Sequence, residues 1–324
     1  MRNIRITILM IIIFTCTYST HASTMDASGM ILTAPAGARA GGMGDAFTAG
    51  EDYIYAPYFN PAGLSTLKQT GFAMSYRSLF EGNMFATAGT GLVLNRNSFG
   101  MNIGWFDAGT FEMVSDDGTV SDHSVRIEND ILLMLSYSRT LNNEISLGVN
   151  IKYFQSTLAE QASANTFAGD AGLLWRFPDE RFNFALVVQN FGGKIKYNSQ
   201  ESSLPLNIKT GISYVLVEGW DLWLERIPPA VESITLLMDI VKYLIEPYPD
   251  NFSEDMELNL GVEVKFSSPL FIRGGYKFKP VSNNITLGAG FKFSIGAVSL
   301  MADYGFAWGG ILGNSNIVSL SAMF

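Results

Sequence analysis

Apolar and polar side chains alternate one for one through most of the chain beyond residue 70. Leu258, Leu260, Val262, Val264 and Phe266 share one parity, and Asn259, Gly261, Glu263 and Lys265 share the other. The same holds for Ile285, Leu287, Ala289, Phe291 and Phe293 against Thr286, Gly288, Gly290 and Lys292. Ile145, Leu147, Val149, Ile151 and Tyr153 oppose Ser146, Gly148, Asn150 and Lys152 in the same way. Successive side chains of a strand point to opposite faces, so each segment reads as a strand with one apolar and one polar face. The pattern predicts about fourteen strands of about ten residues, the length a tilted strand needs to cross a bilayer. They fall at 72–80, 84–94, 98–108, 127–140, 144–156, 166–176, 182–191, 206–216, 232–242, 256–266, 269–278, 284–294, 297–305 and 316–324.

The connections carry a second pattern. Short turns at 95–97, 141–143, 177–181, 267–268 and 294–296 alternate with longer connections at 109–126, 157–165, 192–205, 243–255 and 306–315. Two break the rule: 81–83 is short where a long loop is due, and 217–231 is long where a turn is due. Short turns at one end and longer loops at the other are the habit of outer-membrane barrels. A secreted β-sandwich would also alternate, but it would need a very large core to cover so many apolar faces. The expected fold class is therefore all-β: a transmembrane antiparallel β-barrel of about fourteen strands with an N-terminal plug segment.

The chain opens differently. Arg2 and Arg5 precede an apolar run, Ile6 to Phe14, and Thr20-His21-Ala22 offers small residues where a signal peptidase reads. This is the pattern of a secretory signal peptide cleaved after Ala22. Cys16 is a poor candidate for lipid attachment, because Phe14 and Thr15 precede it. Residues 24 to 68 are rich in Gly and Ala and do not alternate. The expected organisation is residues 1–22 as signal peptide, 23–68 as plug and 69–324 as barrel, in the outer membrane of a Gram-negative-type bacterium.

Composition narrows the chemistry. The chain has one cysteine and two histidines. Losing Cys16 and His21 with the signal would leave no thiol and only His123, which disfavours a zinc site. Losing two of 21 basic residues, against 30 acidic ones, leaves a net charge of −11, which disfavours nucleic-acid binding. The nearest approach to a membrane helix, 234–245, is short and broken by Asp239 and Lys242. No credible Ser/His/Asp arrangement exists, so no enzyme, cofactor or metal is expected. Gly42-Met43-Gly44 begins like a dinucleotide fingerprint but lacks its third glycine and any βαβ setting. Asp116-Asp117-Gly118 with Asp122 suits a turn better than a calcium loop. Asn251, Glu254 and Asp255 read as a solvated loop. Trp220, Trp223 and Leu224 suit a piece lying at the membrane interface, or a docking surface for a partner.

The most specific local sequence is Gly37-Ala38-Arg39-Ala40-Gly41-Gly42-Met43-Gly44-Asp45-Ala46-Phe47-Thr48-Ala49, followed by Asn60-Pro61-Ala62-Gly63-Leu64. Asn60 can cap a helical turn, and Pro61 fits its first position. Gly63 is expected to end that turn in a left-handed conformation. Gly41, Gly42 and Gly44 permit close backbone approach. The two segments together resemble the opening signature of the PorV/PorQ-like outer-membrane proteins, which are similar to the long-chain fatty-acid transporter barrels. The resemblance implies that residues 24–68 plug the lumen. Arg39 would then be buried and need a carboxylate, with Asp170, Asp239, Glu263 and Asp303 as candidates.

The resemblance implies either transport of a hydrophobic solute through a plugged lumen, the leading expectation, or a PorV-like part in type IX protein secretion or outer-membrane assembly. By parity Phe106, Leu132, Met134, Leu174 and Met301 face the lumen and could line an apolar pocket. Arg77, Lys152, Lys209, Arg273, Lys277 and Lys292 share that face, to attract an anionic head group or to pair with lumen carboxylates. Expected partners are membrane lipid, a hydrophobic small molecule, a secreted protein or secretion component, and the barrel-assembly machinery acting on the strand that ends in Phe324.

Overall fold

The computed structural model describes residues 29–79, 82–114, 120–179, 181–197, 200–217, 231–244, 256–278, 284–309 and 313–324. Eighteen strands are present among them: β1 (Gly71–Ser78), β2 (Met84–Leu94), β3 (Asn97–Asp107), β4 (Thr110–Val114), β5 (Val120–Arg126), β6 (Glu128–Thr140), β7 (Ile145–Leu158), β8 (Ala162–Arg176), β9 (Phe182–Gly192), β10 (Lys194–Tyr197), β11 (Gln200–Ser203), β12 (Asn207–Val217), β13 (Val231–Tyr243), β14 (Met256–Phe266), β15 (Leu270–Phe278), β16 (Asn284–Ile295), β17 (Val298–Trp308) and β18 (Asn314–Met323). All but β4, β5, β10 and β11 form one closed antiparallel barrel, each strand pairing with its neighbours in the sequence. The ring shuts where β1 meets β18, from Gly71↔Met323 to Ser78↔Asn316.

Alternation puts the apolar set outside. Leu135, Ile151 and Leu287 are 58, 63 and 58% exposed, whereas Asn150 and Asp170 on the opposite parity are 2 and 0% exposed. Such an outward apolar surface suits hydrocarbon. Tyr76, Trp105 and Trp308 stand outward near one rim, where ring systems favour the membrane–water boundary.

Both β1 and β18 begin or end at the rim that carries the short turns, here called the terminal end. The other rim, the loop end, carries two hairpins, β4–β5 and β10–β11. Both fall in segments expected to be plain loops. The connection expected at 157–165 is shorter than that. Strands β7 and β8 pair out to Leu158↔Ala162 and leave only 159–161 to turn, with Ala159 and Glu160 at positive φ. The segment 218–230 with its two tryptophans, the acidic cluster 251–255, most of the Asp116 turn and residues 1–28 lie outside the described residues.

Residues 29–70 form short turns only: a four-residue helix α1 (Ala38–Gly41) and 3-10 turns at Met30–Thr33, Ala56–Tyr58 and Pro61–Thr66. This inner segment bonds to β2 through Tyr55, to β6 through Ala62, to β7 through Pro57 and to β8 through Asn60. Further round the ring it reaches β9 from Tyr58, β12 from Ala49, β16 from Gly44 and β18 from Ala38. A segment that touches strands on every side of a closed ring lies within it.

Candidate functional site

The site is built from two layers, the barrel's inner wall and the segment it encloses. The segment has too few residues in regular structure to satisfy its own backbone, so buried N–H and C=O groups need partners on the wall. Asp239 supplies the densest set. Its Oδ2 accepts the N–H groups of Phe47 and Thr48, each at 2.8 Å, and the Thr48 hydroxyl at 2.7 Å. Thr286 accepts from the Gly44 N–H at 2.8 Å, and Ser319 accepts from the Ala38 N–H at 3.1 Å.

Arg39 finds its carboxylate in Glu263. The pairing is bidentate, Nε to Oε2 at 3.0 Å and Nη2 to Oε1 at 2.8 Å. The remaining nitrogen donates to the carbonyls of Glu51 and Asp52 at 3.0 and 3.1 Å. The guanidinium also lies over the Phe47 and Tyr53 rings, 5.2 and 5.8 Å from their centroids. Burial alone would lower its pKa; the Glu263 carboxylate outweighs that and holds it above its ordinary value. Glu263 in turn bonds Arg273 at 2.7 Å, and Arg273 bonds Asp303 at 2.7 Å. Two cations and two anions thus alternate in one buried chain, which compensates the cost of removing each from water. Three of the four candidates for Arg39 have other work: Asp239 on the segment backbone, Asp303 on Arg273, and Asp170 on Lys152.

Three other wall cations are also engaged, while Lys209 lies over the Phe59 ring and Lys292 is exposed. Arg77 lies 3.4 Å from Asp45, which Lys277 contacts as well. Lys152 binds Asp170 at 2.8 Å and Asn190 at 2.7 Å. Here β8 and β9 slip register between Gly169 and Ala171, and Asn190 stands at φ 61°. The Asn190 N–H donates to Asp170 at 2.9 Å, so a buried charge pair fixes the bulge.

The Asn60-Pro61 turn is formed as its residues suggest. Asn60 is extended, and its Oδ1 accepts from the Ala62 N–H at 2.9 Å. Its Nδ2 donates to the carbonyls of Thr48 and, on the wall, Leu173, at 3.1 and 3.2 Å. Gly63 departs from expectation. It lies inside the 3-10 turn, which runs on to Thr66, and it is not at positive φ. Its lack of a side chain matters for packing instead: a Cβ there would sit 3.1 Å from that of Ala56.

Sequence reasoning missed the wall glycines. Gly148 and Gly172 are cross-strand partners on β7 and β8, and together they make a notch for the Asn60-Pro61 turn. A Cβ on Gly172 would lie 3.0 Å from Pro61 Cδ, and one on Gly148 would meet the Pro61–Ala62 peptide. Gly288 and Gly305 pair in the same way opposite Gly42, whose own Cβ would come within 2.9 Å of Gly288 Cα. Gly261 and Gly275 pair opposite Met43 and Gly44. Gly44 itself is left-handed at φ 65°. Gly41 packs against Ile317. The available signal was glycine recurring at lumen parity on adjacent strands.

The apolar lumen residues do not gather into one pocket. Leu132 and Met134 are 1 and 0% exposed, clustered with Ile31, Leu32, Phe59 and Phe154. Phe106 packs at the edge of that cluster. Leu174 belongs to a separate group with Ala49, Ala62 and Ala185, and Met301 is half-buried towards the terminal end. A cleft of about 80 Å³ at the terminal end is lined by Arg39, Glu51, Asn183, Ser213, Thr235 and Glu263. That is well below the roughly 300–1,000 Å³ of ligand pockets. A file of rings, Phe47, Tyr53, Tyr55, Tyr58 and Phe85, runs through the interior with centroid spacings of 4.9 to 6.5 Å.

Comparison with solved structures places the fold. The Ralstonia pickettii toluene transporter TbuX matches at TM-score 0.57 and 13% identity, over 92% of this chain and 97% of its own. The monoaromatic hydrocarbon channel CymD matches at TM-score 0.55 and 13% identity, over 94 and 99%. A Pseudomonas aeruginosa FadL homologue matches at TM-score 0.51 and 13% identity, over 86 and 95%. No curated protein matches by sequence. The family described as type IX secretion system protein PorV matches residues 19–243. That span carries the Arg39 segment, its Asn60 turn and the wall up to β13, and with it the chain is an outer-membrane β-barrel that belongs to the PorV family.

Proposed function

We propose that this barrel is a closed, plugged component of type IX-type protein secretion, working by its surfaces rather than as a conduit. The observation that carries this reading is the burial of Leu132, Met134 and Leu174, the residues suited to line a solute path, which are at most 1% exposed. Family membership supports it. So do the β4–β5 and β10–β11 hairpins, which widen the loop end available to a protein. In this reading residues 1–22 are a cleaved signal and 23–68 the plug. Arg39, Gly41, Gly42, Gly44, Asn60, Pro61 and Gly63 seat the plug and bind no ligand.

Passage of a hydrophobic solute is the second reading. Likeness to hydrocarbon channels over nearly the whole chain favours it, and it requires the plug to shift. The test is deletion of the gene, with the surface and secreted proteins compared beside uptake of a labelled long-chain fatty acid and of toluene. Loss of a set of secreted proteins with uptake unchanged is the expected result. Loss of uptake with secretion intact would replace this reading with the second.

A further inference from the structure

At the loop end of the lumen, β6 turns two carboxylates inward, Glu128 and Asp130, two residues apart on one face. Asp130 is fully buried, and the described polar side chains near enough to engage its oxygens are the Ser156 hydroxyl and the Glu128 carboxyl, neither in a well-formed hydrogen bond. Elsewhere among the described residues, inward carboxylates such as Asp170, Asp239, Glu263 and Asp303 meet a cation or N–H groups. A buried carboxyl pair this poor in donors is costly unless it takes up a proton or meets a cationic partner.

The surroundings define that partner. Ser156 faces Asp130 across β7, and its hydroxyl lies 3.5 Å from Glu128 Oε1. Phe106 faces Asp130 across β3. Tyr197 of the β10–β11 hairpin stands beside Glu128, Asp130 and Ser156. Burial pushes its phenol up to about 12, with Asp130 and Glu128 adding to the rise against a hydrogen bond with Ser156. Ile195 beside it is fully buried. Two carboxylates and one hydroxyl within an apolar rim offer three acceptors to a group with three donors. Calcium would want six to eight oxygens.

We propose that Glu128, Asp130 and Ser156 form a binding site for a primary ammonium group carried on an apolar chain. Two sources share this chemistry. One is an amphiphilic amine arriving from the loop end. The other is the chain's own α-amino group after cleavage at Ala22. Gly29 lies against Phe154, one inward position below Ser156. Six residues separate it from that cleavage point, a reach of at most about 20 Å. The site does not depend on any solute crossing the barrel.

The test uses the detergent-purified, processed barrel and its Asp130→Asn variant, with heat-modifiable gel mobility to confirm that both are folded. Hexylamine and hexanol are titrated calorimetrically, and the rate at which an acylating reagent labels the α-amino group is measured. Hexylamine binding at least about tenfold tighter than hexanol, and lost in Asp130→Asn, supports an external amine. No hexylamine binding, but an α-amino group protected in the parent and reactive in the variant, supports the internal source. Equal affinities for the two probes with labelling unchanged by the variant overturns the proposal. Asp130-dependent calcium binding that hexylamine does not displace overturns it too. Should Asp130→Asn fail to fold, Glu128→Gln at the rim of the site carries the same readouts.

Discussion

Arg39 shows how a single side chain can join two layers that share no regular structure. It gives two bonds to the wall through Glu263 and two to its own segment through Glu51 and Asp52. Truncation to alanine leaves Glu263 facing Arg273 alone and frees two buried carbonyls. Arg39→Ala should therefore destabilise the seating of the segment by about 3 kcal/mol. Glu263→Gln on top of it should cost less than the sum of the two, because it removes the stranded charge. Melting of the folded gel band for both variants and the double variant measures this, and additive losses would count against a shared latch. At Asn60 one amide caps a turn and holds two carbonyls. Asn60→Ala should cost about 1–2 kcal/mol for the cap, plus the two bonds. Asn60→Asp should be no better, because a carboxylate cannot donate to the carbonyls of Thr48 and Leu173.

Elements meet through paired glycines rather than through interlocking side chains. Filling the notch at Gly148 with leucine should leave the barrel closed while forcing the Asn60 turn away from the wall. A cysteine placed at the fully buried Ala46 reports on this, since Cys16 is the chain's one natural cysteine. Labelling by a membrane-impermeant maleimide should be negligible in the parent and fast with Gly148→Leu. An outward change at Leu147 to alanine should leave it unchanged. These pairs also mark the limit of what the sequence discloses. Strand positions follow from alternation, and all fourteen barrel strands overlap their expected spans. Pairing register does not follow from one sequence, so Gly148 and Gly172 could not be recognised as neighbours. The bulge at Asp170 escaped for the same reason, because it depends on Lys152 and Asn190 arriving from other strands. The β4–β5 and β10–β11 hairpins were hidden by their shortness. Gly63 misled because glycine serves tight packing as often as a left-handed turn.

For the molecule as a whole, the two faces of the wall obey opposite rules. Ile151, outward at mid-strand and 63% exposed, should tolerate leucine, whereas arginine there should cost about 2–4 kcal/mol in a bilayer. Folding yield in lipid vesicles against urea reads that difference. A lumen plugged as proposed should be just as visible in conductance. The parent should be silent in a planar bilayer, and removal of residues 29–68 should give a steady open pore of fixed size. A silent deletion variant would mean that something other than this segment blocks the ring.

The seam between β1 and β18 has a consequence for the order of construction. The inner segment enters the chain just before β1, and its Ala38 bonds to Ser319 on the last strand. The Phe324 N–H donates to the Thr70 carbonyl, so the two ends of the ring meet where the segment enters it. The last strand therefore completes two things at once, the staple from Gly71 to Met323 that shuts the wall and the Ser319 seat for what the wall holds.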